Sequence, residues 1–352
     1  MSLFFNNTEI NTVIYNNIDL DKLVYNNIIV FEKNKLLDYT TLKIKALSGS
    51  YNNRQIRLNK LNSDETKVYK NGEVILTSTT PGFQYINIGT VTTDEMTIEI
   101  HGGDWVGDNT ILNGEGATYN GLLSYLNIET NLKKISPLMF YGCSQLKGTI
   151  NIPATITEIG SQSFRNCSNI SKIVINAPIT KIQNSTFYNC ENLKEIILPD
   201  SLLNIESMSF YGCKNLKTIN FPNNITSIGN NAFEKCTSLE EVILNNGILT
   251  LNYQVFKDCT KLKKLVIPSS VESIGNILCW RNSSDINTLT IYCHTLNSSN
   301  KVTSTLNGWT RDCYNSIIHL PSSLNDTSAY AAFGDYFDYI NNNNRSIKIY
   351  DL

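Results

Sequence analysis

The sequence predicts a mostly β chain in which a repeat solenoid follows a small antiparallel β domain. The first observation behind this is a phenylalanine followed three residues later by a cysteine, at Phe140/Cys143, Phe164/Cys167, Phe187/Cys190, Phe210/Cys213, Phe233/Cys236 and Phe256/Cys259. The first interval is 24 residues and each later one is 23. The second is the apolar pattern around each pair: Leu193, Ile196, Leu198, Leu202 and Ile205 match Leu216, Ile219, Phe221, Ile225 and Ile228. A period in the twenties with this Leu/Ile spacing marks a leucine-rich-repeat solenoid, whose units bury their apolar faces only against each other. The third is period-two alternation upstream, as in Leu42-Lys-Ile-Lys-Ala46 and Met96-Thr-Ile-Glu-Ile100, which marks strands.

Residues 1–33 carry a shorter repeat. Tyr15 and Tyr25 lie ten apart and each precedes an Asn-Asn pair, with Asn27-Ile-Ile-Val-Phe31 continuing the pattern. Asn tolerates the positive φ of hairpin turns, so the segment reads as a three-strand ribbon. A ribbon this small builds little core and must pack on something else, which makes it an attachment module. Residues 34–116 read as a small antiparallel sandwich or sheet, with Asn71-Gly72 as a hairpin turn, and a glycine-rich bridge from Gly102 to Gly121. The solenoid with its C-terminal cap fills 117–352. Leu123, Leu126, Ile128, Leu132 and Ile135 occupy the positions of a preceding turn, Cys279 stands where the next Phe is due, and Ile317-Ile-His-Leu-Pro321 follows an irregular stretch. Tyr330–Tyr336 is expected to form a short closing helix.

A net charge of -2 supplies no basic field for nucleic acid or an anionic membrane. Only 17% of residues are charged, so solubility rests on amides and hydroxyls. No stretch approaches the about 20 apolar residues that span a bilayer, and the first residues, Met1-Ser-Leu-Phe-Phe-Asn-Asn, do not read as a signal peptide. Stacked turns bring repeat cysteines about 5 Å apart, yet inward parallel side chains pair poorly, so buried free thiols are expected. Cys293 and Cys313 lie outside the pattern and can pair. No metal or cofactor is expected: there is no CxxC, and the histidines lie far apart. Asp104 and Asp108 lack EF-hand spacing. Catalytic motifs such as HExxH, GxSxG and phosphate-binding glycine loops are missing from the sequence, which points away from an enzyme.

Units such as Phe210-Tyr-Gly-Cys-Lys-Asn-Leu-Lys-Thr-Ile-Asn-Phe-Pro-Asn-Asn-Ile-Thr-Ser-Ile-Gly229 resemble the BspA-type leucine-rich repeats of bacterial surface proteins. The resemblance covers roughly residues 120–340. The N-terminal ten-residue repeat more weakly resembles the start of phage tail and appendage proteins. The first resemblance implies adhesion to host proteins or cells, the second attachment to a bacterial surface. On this reading no leader, wall-sorting tail or stalk of a typical surface adhesin is expected. The expectation is therefore a non-enzymatic virion appendage from a phage or prophage, receptor-binding or decorative, for which homotrimerisation would be unsurprising. The alternative is a bacterial surface or secreted adhesin. The partner on either reading is a cell-surface protein or glycan.

Two columns are candidate binding surfaces. The middle residues of the repeat strands, Val174, Ile197, Asn220, Ile243 and Val266, should face outward. Four of the five are apolar: they mark either a partner surface or β-propensity alone, shielded by neighbours such as Glu195 and Lys264. The residues following each repeat Phe (and Cys279) are Tyr141, Arg165, Tyr188, Tyr211, Glu234, Lys257 and Trp280. The tyrosines and Trp280 are either a stacking edge for sugars or covers for the adjacent turn. Trp105 and Trp309 are further candidate anchors.

Overall fold

The computed structural model describes residues 39–44, 51–61, 63–91, 95–101, 105–112, 123–128, 132–274, 290–293, 316–320 and 346–350, with six short strands between residues 3 and 32. Side chains are described mainly within 61–101, 123–128 and 132–272. All regular elements among the described residues are strands, and no helix there is long and apolar enough to cross a membrane.

Met1–Asp38 is one compact unit. It holds three antiparallel pairs: β1 (Leu3–Phe5) with β2 (Thr8–Ile10), β3 (Ile14–Tyr15) with β4 (Ile18–Asp19), and β5 (Lys22–Tyr25) with β6 (Ile28–Glu32). Phe5 pairs with Thr8, Tyr15 with Ile18 and Tyr25 with Ile28, so each Asn-Asn dipeptide joins the two strands of one pair. The strands thus form separate two-stranded pairs rather than one ribbon.

Tyr39–Leu352 is the second unit. Its first part contains β7 (Tyr39–Ile44), β8 (Tyr51–Lys60), β9 (Thr66–Lys70), β10 (Glu73–Ser78), β11 (Gly82–Val91), β12 (Met96–His101), β13 (Trp105–Leu112), β14 (Leu123–Asn127) and β15 (Leu132–Lys134). They make two sheets, ordered β10-β9-β12-β7-β14 and β11-β8-β13-β15. The alternation read in β12 buries Met96, Ile98 and Ile100. The β9–β10 hairpin turns through Asn71 (φ 49°) and Gly72 (φ 85°), both left-handed, as the tightest hairpin turns require. Asn71 is held in place by Thr97, whose N–H donates to Asn71 Oδ1 and whose carbonyl accepts the Asn71 N–H, both at 2.8 Å.

The residues read as a first solenoid turn also complete these sheets. β14 runs antiparallel to β7, and β15 runs parallel to β13. Ile135 then bridges in parallel to Ile159 of the next turn, and one buried apolar cluster extends from Val68 to Val271. The sandwich thereby caps the first turn, whose apolar face would otherwise meet water.

From there each turn repeats its contacts. One parallel series, here called the β-face, contains β16 (Gly148–Ile152), β17 (Ile170–Ile175) and β19 (Glu195–Ile197), then β22 (Glu241–Ile243), β24 (Lys264–Ile267), β26 (Thr290–Cys293), β27 (Ser316–Leu320) and β28 (Ser346–Tyr350). A second series of two-residue strands is β18 (Lys181–Ile182), β20 (Asn204–Ile205), β21 (Ser227–Ile228), β23 (Thr250–Leu251) and β25 (Ser273–Ile274). A third ladder joins the phenylalanine segments: the N–H groups of Phe140, Phe164, Phe187, Phe210 and Phe233 donate to carbonyls of the following turn at 2.8–2.9 Å.

The core of the stack is the phenylalanine column. All six rings are buried, and successive centroids lie 5.1, 5.7, 5.4, 5.1 and 5.7 Å apart with interplanar angles of 27° or less. The cysteines are buried and free, as expected, but they are more than small hydrophobes. Each Sγ from Cys167 to Cys259 donates to the carbonyl of the phenylalanine one turn back, at 3.1–3.3 Å. Burial pushes the thiols of Cys167, Cys190, Cys213 and Cys236 well above the usual range, which suppresses the reactive thiolate.

To place Phe and Cys on the inside, the chain bends sharply twice per turn. The residues two before each Phe (Leu138, Gln162, Ser185, Met208, Asn231 and Gln254) have φ of 54–62°, and those two after it are equally left-handed, as in Asn166 and Lys235. The Ile-Gly step has a different cause. A Cβ on Gly229 would lie 2.6 Å from the backbone N of Ser207, so the step permits close approach between turns. Outside the core, amides form rungs of their own: Asn215 Nδ2 donates to Asn192 Oδ1 and Asn192 Nδ2 to Asn169 Oδ1, both at 3.0 Å.

The expected closing helix at Tyr330–Tyr336, and Cys279, Trp280, Trp309 and Cys313, lie outside the described residues. Cys293 ends β26. Beyond Val271 the β-face continues in parallel through β26, β27 and β28. The last of these, Ser346-Ile-Lys-Ile-Tyr350, alternates in period two but has no Phe-Cys pair to announce it.

Two outcomes are expected from this packing. Phe210→Ala should cost about 3–5 kcal/mol in urea unfolding, as a large core truncation, and destabilise neighbouring turns with it; a variant that melts with the parent would displace the ring column from the core. The six repeat thiols should resist iodoacetamide in the folded protein and alkylate once urea unfolds it. Alkylation of Cys213 in folded protein at the rate of an exposed thiol would contradict the ladder.

Candidate functional site

On the β-face the alternation works as read. Ile173 and Ile175, Val242 and Leu244, and Leu265 and Ile267 are buried, while the residues between them point outward. Val174 and Val266 are half-buried, and Ile197 and Ile243 are exposed, at 44% and 54%. The column continues as Tyr292 and His319, whose rings stack at 4.5 Å. Beside it runs a second outward column, Lys172, Glu195, Thr218, Glu241 and Lys264. Lys172 Nζ donates to Glu195 at 2.9 Å and Lys264 Nζ to Glu241 at 2.6 Å; the latter bond raises the Lys264 pKa.

At the centre of this face the parallel ladder is broken. β19 pairs with β17 and β22 with β24, but the intervening turn, Thr218–Asn220, pairs with neither neighbour. Among the described residues, the backbone N–H groups of residues 217–221 and the carbonyls of 218–220 have no hydrogen-bond partner. The local sequence differs here from the adjacent turns. Asn220 stands where they have Ile197 and Ile243, and Asn is a poor strand residue, although Asn151 holds the same register position in the paired strand β16. Phe221 stands where Leu198, Leu244 and Ile267 sit, and its ring meets Phe233 edge-on at 5.8 Å.

The break opens a cleft on each side. One, of about 300 Å3, is lined by Glu195, Ile197, Asp200, Thr218 and Asn220. The other, of about 370 Å3, is lined by Thr218, Asn220, Glu241, Ile243 and Asn245. Asn245 Nδ2 donates to the carbonyls of Phe221 and Pro222, and its buried Oδ1 is unpartnered. Thr218, Phe221, Asp200 and Asn245 were not read as site residues, although Asn220 interrupting the Val/Ile column was the available signal.

The aromatic column is organised differently. Tyr141, Tyr188 and Tyr211 are half-buried. Tyr188 and Tyr211 stack at 4.5 Å and 4°, Arg165 lies 4.1 Å above the Tyr188 ring, and Lys235 Nζ donates to the Tyr211 hydroxyl at 2.5 Å, 5.0 Å from the ring centroid. Burial raises the Tyr188 hydroxyl pKa, and the bond to Tyr211 raises that of Lys235. Arg165 and Tyr211 thus cover the Tyr188 ring, Tyr188 covers one face of Tyr211, and Lys235 holds the Tyr211 hydroxyl. The next position is ionic: buried Glu234 accepts from Lys257 at 2.9 Å and from Asn231 at 2.5 Å. Trp280 lies outside the described residues, and Trp105 is placed in β13 by its backbone alone. Of the two aspartates in the glycine-rich bridge, Asp104 is outside the described residues and Asp108 lies in β13.

Among solved structures, the chain is similar to a leucine rich repeat protein of T. pallidum, with 21% identity, covering 60% of this chain and 89% of that one at a TM-score of 0.41. It is also similar to a leucine rich cell surface protein of Faecalibacterium prausnitzii (18% identity, 65% and 84% covered, TM-score 0.39). A leucine-rich repeat protein of Bacteroides ovatus is a further match (21% identity, 57% and 70% covered, TM-score 0.36). No curated protein matches the chain. The family model for the BspA type leucine rich repeat region matches residues 113–208 and 180–305, in six copies. That span is the one over which Phe stacks on Phe and Cys bonds back to Phe, and over it the chain belongs to the BspA type leucine rich repeat family.

Proposed function

We propose that this is a non-enzymatic recognition or adhesion protein whose β-face binds a molecule on a cell surface. The observation that carries the reading is the exposure of Ile197 and Ile243 on a β-face whose other described apolar strand residues are buried or half-buried. Holding exposed β-branched side chains on a rigid frame, at adjacent positions flanking Asn220, suits a binding surface. The carboxylates beside them, Glu195 and Glu241, are engaged by lysines of adjacent turns, an arrangement that suits a fixed surface better than acid–base chemistry.

The finer proposal is a phage or prophage virion appendage, receptor-binding or decorative, fixed to a larger assembly by Met1–Asp38. What supports it is that unit's construction: three antiparallel pairs of strands two to five residues long, too short to bury much apolar surface alone. Homotrimerisation belongs to this proposal. Membership of the BspA-type family supports the second reading, a bacterial surface or secreted adhesin that binds host proteins or neighbouring cells.

Mass spectrometry of gradient-purified phage particles and of washed cell envelopes from the source culture separates the two. Peptides of the chain at fixed stoichiometry in particles are expected; enrichment in envelopes instead would establish the adhesin and remove the virion role. Light scattering of the purified chain is expected to give three times the chain mass. A monomer at high concentration would remove the trimer.

A further inference from the structure

We infer that the broken turn at Thr218–Asn220 is the docking site for an extended polypeptide segment of a partner protein, one that carries a basic side chain next to an apolar one. The inference rests on the β-face being the binding surface and names the ligand class for it.

Four observations converge on this turn. Among the described residues, the N–H groups of residues 217–221 and the carbonyls of 218–220 have no hydrogen-bond partner, although the flanking strands β19 and β22 each pair on their other side. Unmet N–H and C=O groups along a sheet are what a further extended chain satisfies. The clefts on both sides give access to those groups from solvent. The exposed Ile197 and Ile243 stand as apolar shoulders on either side of Asn220, whose side-chain amide has no hydrogen-bond partner among the described residues.

Charge then narrows the chemistry. Glu195, Asp200 and Glu241 line the clefts, and no lysine or arginine does. Lys172 and Lys264, which bind Glu195 and Glu241, belong to the turns on the far side of each. Asp200 is exposed, with no ion-pair partner among the described residues. The surface therefore complements a cation flanked by apolar groups. A sugar is served less well here. Phe221, the aromatic residue that lines the clefts, is half-buried and turned edge-on to Phe233.

The test uses the full chain and a library of random twelve-residue peptides displayed on yeast. Selected peptides are expected to place Lys or Arg beside Ile, Val or Leu. Asn220→Ile, which restores the Val/Ile column, should weaken a selected synthetic peptide by about tenfold or more, and Asp200→Asn should weaken it in proportion to its basic residue. Hydrogen exchange followed by mass spectrometry adds a readout independent of the variants' folding. Amides 217–221 should exchange faster than those of β19 and β22 in the free protein and slow when the peptide is added. Peptides that bind Asn220→Ile equally well and leave amides 217–221 unprotected would overturn the inference while the recognition reading survives. Failure to select any peptide, with the chain still adhering to intact cells, would do the same and point to a glycan. Failure of both peptide selection and adhesion would remove the recognition reading as well.

Discussion

Every turn of the solenoid must present the same cross-section to the next, because the phenylalanine rings stack at a little over 5 Å along the whole array. That spacing exceeds the roughly 4.8 Å between hydrogen-bonded strands only slightly, so ring stacking and backbone ladders can be satisfied together. The cysteine three residues later completes the arrangement. Its side chain is small enough to sit beside the ring, and its S–H reaches the preceding Phe carbonyl. That carbonyl already accepts the N–H of the cysteine in its own turn, as Phe187 does from Cys190, so the thiol fills its second acceptor site. The left-handed residues on either side of each Phe follow from the same constraint. Two tight bends are needed to turn the Phe and the Cys inward, and even Met208 and Lys235 are held in that conformation despite its steric cost.

A stack of identical units has a problem at its ends, where the last apolar face lacks a neighbour. At the N-terminal end the solution is to merge with the sandwich. Leu123–Asn127 and Leu132–Lys134 serve as sheet strands and as the first layer of the stack. An ion pair reinforces the junction: Lys134 on β15 binds Glu158 of the next turn at 2.5 Å, Gln183 of the turn after donates to the same carboxylate at 3.0 Å, and the lysine's hydrogen bond holds the Glu158 carboxyl below its usual pKa. The sandwich is thus an integral cap as far as the described residues show.

How much of this was legible in the sequence depended on whether a feature repeats. The Phe-Cys column, the inward and outward sides of each strand, the Asn71-Gly72 turn and the free thiols were all readable, because each follows from a period or a turn rule acting on nearby residues. The double role of β14 and β15 was not. Leu123 and Leu126 satisfy the repeat pattern and the strand pattern alike, and only the pairing with β7 distinguishes them. The mutual coverage of Tyr188 and Tyr211 was hidden for a related reason: spacing places aromatic rings in a column, but whether they stack on each other depends on the rotamers the rings themselves adopt. β28 escaped because the turn before it departs from the 23-residue period.

The broken turn lies between these cases. Its sequence differs from its neighbours at two adjacent positions, Asn220 for Val or Ile and Phe221 for Leu or Ile, a departure small enough to pass as drift within a repeat. In the structure this turn lacks the β-face ladder bonds at residues 218–220 among the described residues, while Phe210 and Phe233 on the core side stay stacked at 5.1 Å and 4°. The interior of the turn is therefore among the most regular in the array while its exterior is the least. A solenoid can carry such a defect because each turn is held by several independent ladders, so losing one on the outside leaves the core stack and the second strand series intact. Redundant internal support is what allows one outward segment to be released from structure and given to recognition.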